Sequence, residues 1–198
     1  MRNSKYATQL ANLLQMPIFK ASEARTHGIP SRMLSYFCQT GKIERIGRGL
    51  YRVLDAFSGV EIDLEELVLT TSSIPHGVIC LISALCYYHL TDQIMREYWI
   101  AVPNRDRMPS RPHTRIIRMR NVTLGQSTVK IGNYMVKIFD RERTVVDAFR
   151  YLSSEIAIKA LQRYLKSFED KKPDLPKLAK YAAILRVSIE PYILALTT

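Results

Sequence analysis

One predicted short helix carries side chains suited to contacts with bases and phosphates. Leu34 and Phe37 point toward a core. The residues left on the outer face of this helix are Ser31, Arg32, Ser35, Tyr36 and Gln39. Arginine and glutamine can make bidentate contacts to base edges in a major groove, and serine and tyrosine hydroxyls can hold phosphates. This face predicts contact with duplex DNA, and a merely polar helix face is the alternative.

The hairpin predicted after this helix adds cations at close intervals. Its basic residues are Lys42, Arg45, Arg48 and Arg52. Gly47 and Gly49 flank Arg48, so the chain can reverse there and bring its backbone near the sugar–phosphate wall. Arg48 can then enter a minor groove or grip a phosphate. A glycine-arginine-glycine tip alone is weak evidence, because many surface hairpins look alike.

A second basic segment runs from Asn104 to Arg120, with Asp106 as its single acid. Its arginines are Arg105, Arg107, Arg111, Arg115, Arg118 and Arg120. In the strand predicted here, Arg118 and Arg120 share one face, while Ile117 and Met119 share the other. The segment predicts a second phosphate-binding surface, for DNA or for an acidic protein partner, with a solvated basic loop as the alternative.

Side chains that could support catalysis are scattered. Cys86 and His89 stand three apart on a predicted helix, but no second pair has metal-ligand spacing, which favours a packed core thiol. Glu169-Asp170-Lys171 has the acid-x-lysine spacing of some nucleases, yet it lies in a polar helix end rather than in a hydrophobic strand. The sequence also contains neither a phosphate-cradling glycine loop nor a nucleophile elbow.

Three further acids stand among arginines. They are Asp140, Glu142 and Asp147, accompanied by Arg141, Arg143 and Arg150. This mixture favours a solvated helix face or internal ion pairs over a catalytic pair of carboxylates. We therefore expect a protein that is not an enzyme and that holds no metal and no cofactor.

Charge and composition narrow the classes of partner. The 198 residues carry 29 Lys and Arg against 18 Asp and Glu, a net charge of +11 that attracts polyanions. The apolar share of 47% indicates a globular protein with a core. Three cysteines at irregular spacing fit a reducing compartment, and no signal peptide or membrane span is predicted. We expect a cytoplasmic protein without a membrane partner.

The charge is distributed in blocks that suggest two domains. Residues 1–55 have a net charge of +6, residues 56–90 of −4, residues 91–137 of +6 and residues 138–198 of +3. Two basic surfaces are thus separated by an acidic, mostly apolar stretch. Asp55, Ser58 and Gly59 are turn formers near this change. We predict a DNA-binding domain at residues 1–56 and an α/β effector domain at residues 57–198.

The first block has the pattern of a winged helix-turn-helix. Helices are predicted over about residues 5–15, 21–27 and 31–40, because Pro17 ends the first, Gly28 permits a turn and Gly41 can cap the third. Strands follow at residues 43–46 and 50–53, joined by the Gly47–Gly49 tip. Helix, helix, turn, helix and hairpin in this order are typical of that motif.

The second block predicts mixed structure. An amphipathic helix is expected over about residues 61–71 and an apolar, central helix over about 77–90. Strands are expected at residues 98–102, 115–120, 128–131 and 134–139, and helices over about 141–152, 155–168 and 175–187, with a final turn or two at 188–196. Asp140, Ser154, Asp174 and Ser188 are the predicted N-caps. The predicted class is α+β: a winged helix-turn-helix, then a mixed α/β domain with a small, mainly antiparallel sheet and a helical C-terminal part.

Several short motifs, in order along nearly the whole chain, resemble one family. At the front they are Phe19-Lys20-Ala21, Gly28-Ile29 and residues 41–51, GKIERIGRGLY. Later they are residues 82–85 (ISAL), 88–90 (YHL), 99–103 (WIAVP) and 138–148 (IFDRERTVVDA). Together they resemble the AbiEi antitoxins of abortive-infection (AbiE, type IV) toxin–antitoxin systems, which are also transcriptional regulators.

The resemblance implies a repressor of its own operon that recognises inverted repeats in promoter DNA. It also implies a C-terminal domain that counteracts a nucleotidyltransferase-type toxin. The sparse acidity of the second domain departs from this picture, because docking on a basic toxin would be unfavourable and antitoxicity need not involve a stable complex. A protein-interaction module, or a stand-alone regulator without a toxin, remains the alternative.

Overall fold

The computed structural model describes residues 6–54, 60–106, 108, 110–167 and 172–197. The chain divides into two compact units. The first unit comprises residues 1–73 with 130–136, and the second comprises residues 74–129 with 137–198. The predicted boundary between residues 56 and 57 lies outside the described residues and stays a prediction.

Helices and short strands are mixed in the first unit up to residue 73. They are α1 (Ala7–Leu13), β1 (Ile18–Lys20), α2 (Ala21–Thr26), α3 (Ser31–Gln39), β2 (Ile43–Gly47), β3 (Leu50–Val53) and α4 (Ile62–Ser73). The strands form an antiparallel sheet in the order β1-β3-β2. The helices and the hairpin predicted for this part of the chain are confirmed, whereas Lys5, the predicted start of the first helix, lies outside the described residues.

Strand β1 is an element that the sequence patterns do not predict. It pairs with β3, placing buried Phe19 opposite Tyr51, and the two rings stack with their centroids 5.7 Å apart. Three residues are too short to display an alternating pattern, so the strand depends on β3 for its existence.

The remaining elements follow α4. They are β4 (Val78–Ile79), α5 (Leu81–Tyr87), β5 (Tyr98–Pro103), β6 (Thr114–Met119), β7 (Gln126–Ile131), β8 (Tyr134–Phe139), α6 (Arg141–Tyr151), α7 (Ser154–Lys166), α8 (Leu175–Leu185) and α9 (Glu190–Thr197). Buried apolar residues of α5 to α8 share one core cluster, and Val78, Ala101, Met119 and Phe139 belong to a second cluster. A mixed α+β chain with C-terminal helices is thus confirmed.

The larger sheet is mixed in direction. Its strand order is β6-β5-β4-β8-β7, in which β4 and β5 are antiparallel while β5 pairs with β6, and β4 with β8, in parallel. The prediction of a mainly antiparallel sheet therefore needs correction for this sheet. Strand direction depends on how the chain returns between strands, and the residue pattern within each strand does not record that path.

Local boundaries bring further corrections. The apolar helix predicted over residues 77–90 is wrong at its start, because Val78 and Ile79 form β4 before the shorter α5 begins. Both residues are β-branched and buried between two neighbouring strands, which favours the extended conformation. The N-cap of α7 is Ser153, which accepts from the Ile156 amide, and not Ser154. The final turn or two is the helix α9. Among the described residues, no helix is both long and apolar enough to span a bilayer.

Candidate nucleic-acid interface

A tight turn fixes α3 relative to α2 within the first unit. Gly28 has φ +78°, and its amide donates to the Arg25 carbonyl at 2.9 Å. The next amide, of Ile29, donates to the Ala24 carbonyl at 2.8 Å. Because Ala24 and Ile29 are fully buried, the turn is held on its inner side by packing as well as by hydrogen bonds. The direction of α3 is therefore set before any ligand binds.

Helix α3 separates an apolar face from a polar face. Leu34 and Phe37, three residues apart, are buried as predicted. The predicted contact residues Ser31, Arg32, Ser35, Tyr36 and Gln39 are all exposed. The ring of Tyr36 lies edge-on to that of Phe37, with centroids 5.7 Å apart, which restrains where its hydroxyl can reach. The helix thus presents hydrogen-bonding groups outward from a rigid base.

The β2–β3 hairpin presents Arg48 at an ordered tip. Gly49 has φ +68°, a conformation that a glycine adopts without strain, and its carbonyl accepts from the Ala21 amide at 2.8 Å. Arg45 Nε donates to the Gly47 carbonyl at 3.2 Å, beside a shift in the strand register. Hydrogen bonds to the backbone carbonyls on both sides of exposed Arg48 therefore hold the tip in place.

The predicted cations of this region differ in their partners. Arg32, Lys42, Arg45 and Arg48 are exposed, and none has an ion-pair partner among the described residues. Arg52 is half-buried instead. Its Nε donates to Glu44 Oε2 at 2.6 Å, and its Nη1 lies 3.5 Å from Glu65 Oε1 of α4. Its guanidinium is thus occupied within the first unit, while the other cations keep their charge toward solvent.

Ile46 is a residue of this region that the sequence reasoning leaves out. It lies on β2 beside Arg45 and is 42% exposed. All four residues from Glu44 to Gly47 are exposed, so Ile46 faces solvent although it is apolar. An exposed apolar side chain here can contact sugar or base edges as well as water.

The six arginines of the second basic segment do not share one face. Arg105, Arg115, Arg118 and Arg120 are exposed, whereas Arg107 lies outside the described residues. Arg115 lies opposite Trp99 in the parallel register, with its guanidinium 4.6 Å from the indole centroid and 3.9 Å from Glu97.

Alternation along β6 separates the remaining arginines further. It puts Arg115 on the opposite face from Arg118, while Arg120 follows the end of the strand. Half-buried Arg111 donates to the neighbouring Ser110 carbonyl at 2.9 Å. Arg111 and Arg115 are thus engaged by neighbouring groups, whereas no ion pair among the described residues involves Arg105, Arg118 or Arg120.

Residues 138–148 form a buried ionic cluster in the second unit. Arg143 Nε donates to Asp147 Oδ2 at 2.7 Å, with both side chains almost fully buried. The Arg143 guanidinium also donates to the Leu124 carbonyl at 2.9 Å and lies 4.5 Å from the ring centroid of Phe139. Arg150 donates to the other oxygen of Asp147 at 2.7 Å. The alternative of internal ion pairs is confirmed for these residues.

A second ionic group surrounds the start of α6. Asp140 caps the helix by accepting from the Arg143 amide, and Lys177 lies 3.0 Å from Asp140 and 2.9 Å from Glu142. Burial alone would lower the pKa of Lys177, but its hydrogen bonds to Glu142 and Asp140 outweigh that effect and raise the pKa. Burial and the hydrogen bond to Glu142 raise the pKa of Tyr164. These contacts join α6 to α7 and α8.

Potential metal ligands are dispersed in the described part of the chain. Cys86 is half-buried and donates to the Gln93 carbonyl at 3.2 Å, while His89 is exposed. Burial raises the pKa of the Cys80 thiol well above its ordinary value. Within the described ranges, no group of three or more His, Cys, Asp or Glu residues could hold a metal ion. The Glu169-Asp170-Lys171 motif lies outside those ranges.

Comparison with protein families bears on the first unit. The family model described as a transcriptional regulator, AbiEi antitoxin, matches residues 9–54. This segment is similar to the AbiEi family. The AbiEi segment begins within α1 and ends one residue after β3, so it contains α2, α3 and the β2–β3 hairpin. The resemblance to AbiEi antitoxins is thereby confirmed over about a quarter of the chain. No curated protein matches the chain.

Proposed function

We propose that this protein is a sequence-specific DNA-binding repressor that controls its own operon and is the antitoxin of a nucleotidyltransferase-type toxin. The carrying observation is that the AbiEi segment coincides with exposed, unpaired cations on α3 and the β2–β3 hairpin. In this proposal the first unit is a winged helix-turn-helix, with α3 as recognition helix and the hairpin as wing. The short α2–α3 turn and the antiparallel hairpin support that assignment.

Helix α3 would occupy the major groove. Arg32 and Gln39 have the side chains that bind guanine and adenine edges with two hydrogen bonds each. Ser31, Ser35 and Tyr36 would donate to phosphates and fix the register of the helix. Leu34 and Phe37 anchor the opposite face in the core, so these groups are held in place and lose little entropy on binding.

The wing would contact the backbone or the minor groove. Lys42, Arg45 and Arg48 are exposed and supply three positive charges for phosphates. Arg52, also predicted to contact DNA, would act from behind them, because Glu44 and Glu65 already neutralise its guanidinium. Its role would be to fasten β3 to β2 and to α4.

The test is a salt titration of the full chain on two duplexes, the promoter of its own operon and a scrambled sequence. Arg48→Ala should weaken both complexes similarly and reduce the salt slope by about one unit, because one phosphate contact is lost. Gln39→Ala should mainly reduce the preference for the promoter, at about 1–3 kcal/mol. Lys159→Gln removes one exposed charge from α7 and serves as the control.

Three outcomes of this titration would contradict the assignment. One is an absence of binding to either duplex at low salt, which would remove the repressor function altogether. The other is an identical effect of Arg48→Ala and Gln39→Ala on sequence preference. A slope that falls equally with Lys159→Gln would show that net charge, and not the wing, sets the affinity.

The antitoxin part of the proposal assigns toxin control to the predicted domain at residues 57–198. Support for it comes from the AbiEi segment and from the later motifs, such as residues 138–148, whose buried ion pairs organise the second unit. A nucleotidyltransferase gene next to this one, whose toxicity is relieved by the full chain in growing cells, is the expected result. Rescue that persists with Arg32→Ala and Arg48→Ala together would separate antitoxicity from repression.

A further inference from the structure

We propose that Arg105, Arg118 and Arg120 form a second surface, on the second unit, that binds the phosphates of duplex DNA. The choice of DNA as the polyanion rests on the proposed function. The surface itself rests on residues outside the AbiEi segment. It is called the β6 cationic edge below and is defined by these three arginines.

The parallel pairing of β5 and β6 brings the three arginines toward one end of the sheet. Val102 pairs with Arg118, and the Asn104 amide donates to the Met119 carbonyl at 3.1 Å. The two strands therefore end side by side. Arg120 follows the end of β6, and Arg105 lies in the turn that follows β5 and is closed by the Asp106 amide donating to the Pro103 carbonyl at 2.9 Å.

Strand β6 also leaves this group accessible. It is the terminal strand of its sheet, so no strand covers its outer side within that sheet. Arg118 is the second-last residue of β6, and Arg120 is the first residue after the strand ends. All three arginines of the β6 cationic edge are exposed.

Nearby acids are engaged elsewhere. Asp106, the single acid between Asn104 and Arg120, lies 2.8 Å from the Nδ1 of His76. Glu97, at the opposite end of β5, is paired with Arg115. Within the described ranges, no ion pair reaches the β6 cationic edge. Three neighbouring guanidiniums repel one another, and that repulsion is relieved when an external polyanion binds.

The surroundings favour a nucleic-acid backbone over a protein partner. Protein–protein interfaces are organised around an apolar core. The exposed residues next to these arginines are the amides Asn104 and Asn121, and amide side chains are frequent donors to phosphates. Phosphate contacts need cations and donors without an apolar anchor, which is the composition found here.

The test compares two triple variants of the full chain. The first replaces Arg105, Arg118 and Arg120 by glutamine. The second, a matched control, replaces Lys137, Lys166 and Lys180 by glutamine, which removes the same charge from other exposed positions. Affinity for a scrambled duplex is measured between about 50 and 200 mM salt. Circular dichroism and Trp99 fluorescence confirm that both variants are folded.

The first variant should reduce the salt slope by about 2.7 units, at about 0.9 for each lost phosphate contact. The control should reduce it by less than about one unit through net charge alone. Equal slopes for both variants would overturn the proposal. Equal slopes are also the result expected if the β6 cationic edge binds an acidic protein instead of DNA.

The two proposals can fail separately. If the wild type shows no preference for its promoter but the first variant lowers the slope, the proposed repressor function fails and the β6 cationic edge stands. If the promoter preference is present and depends on Arg32 and Arg48, while the two triple variants behave alike, the second surface fails alone. No binding of any duplex at low salt overturns both.

Discussion

The buried pair between Arg143 and Asp147 allows a sharp prediction of stability. Asp147→Asn keeps the size of the side chain and removes its charge, so Arg143 remains buried opposite a neutral amide. The wild-type bond is 2.7 Å long, and the exposed fractions of the two side chains are 1% and 0%. Solvent therefore cannot replace the lost carboxylate, and the guanidinium stays in place without its counter-ion.

The expected cost follows from that burial. Breaking a buried pair by removing one partner costs about 3–5 kcal/mol. The lower end applies here, because Arg143 keeps its hydrogen bond to the Leu124 carbonyl and its contact with the Phe139 ring. Arg150 also loses a partner, but it is partly exposed and adds little. We expect a loss of about 3 kcal/mol, or about 1–2 M in the urea midpoint.

A second pair on the next helix provides the control. Glu155 and Lys159 are also four residues apart and 2.8 Å from each other, but both are exposed. Glu155→Gln should therefore leave the urea midpoint almost unchanged, because solvent screens this pair. Urea unfolding followed through Trp99, which packs against the core clusters of the second unit, measures both variants with one probe.

The comparison of the two variants tests whether burial sets the strength of the Arg143–Asp147 pair. A loss below about 1 kcal/mol for Asp147→Asn, or one equal to that of Glu155→Gln, would show that burial does not set the strength of this pair. A change in the slope of the unfolding curve would instead indicate that the variant alters the unfolded state or the two-state behaviour.

Two further predictions concern the second unit, and Gly41 of the first unit serves as a control for one of them. Gly125→Ala should cost about 2–4 kcal/mol, because φ is +68° and the new Cβ would lie 2.5 Å from the Cβ of Arg143. Gly41 has nearly the same φ, +67°, but an added Cβ would meet no atom within 4 Å. Gly41→Ala should therefore lower the free energy of unfolding by only about 1–2 kcal/mol, as followed by circular dichroism. The pKa of Lys177 is raised in the folded state, so its contribution is complete below its ordinary value of 10.5 and is lost as pH rises through the folded pKa. Above about pH 10.5 the melting temperature of the wild type should therefore fall more steeply than that of Lys177→Met, and parallel curves in that range would contradict this sign.

Much of the local structure was predictable because it depends on neighbouring residues. The alternation of Tyr134 to Phe139 and the cap at Asp140 predicted β8 and the start of α6, and both are confirmed. The buried Leu34 and Phe37 were predictable from their helical spacing. The short strands β1 and β4 were not, since two or three residues carry no period and become strands only when a partner binds them.

The residues of the candidate interface also divide into those whose environment was predictable from the sequence and those whose environment was not. Exposure of Arg32, Gln39 and Arg48 follows from local pattern, so it was predicted from the chain alone. Pairing of Arg52 with Glu65 was not predictable, because Arg52 lies on β3 and Glu65 on α4, and nothing in either segment specifies the other. The sequence counted Arg52 among the outward cations, whereas its contacts hold it within the first unit.

The amino-acid sequence by itself determined the net charge, the amphipathic face of α3, the glycine tip of the hairpin and the AbiEi resemblance. Each depends on residue type and short spacing, which a linear chain records directly. Only the tertiary structure decided which arginines are free and which are buried. Arg143 finds the Leu124 carbonyl 19 positions away, and a contact over that distance exists only once packing has brought the two segments together.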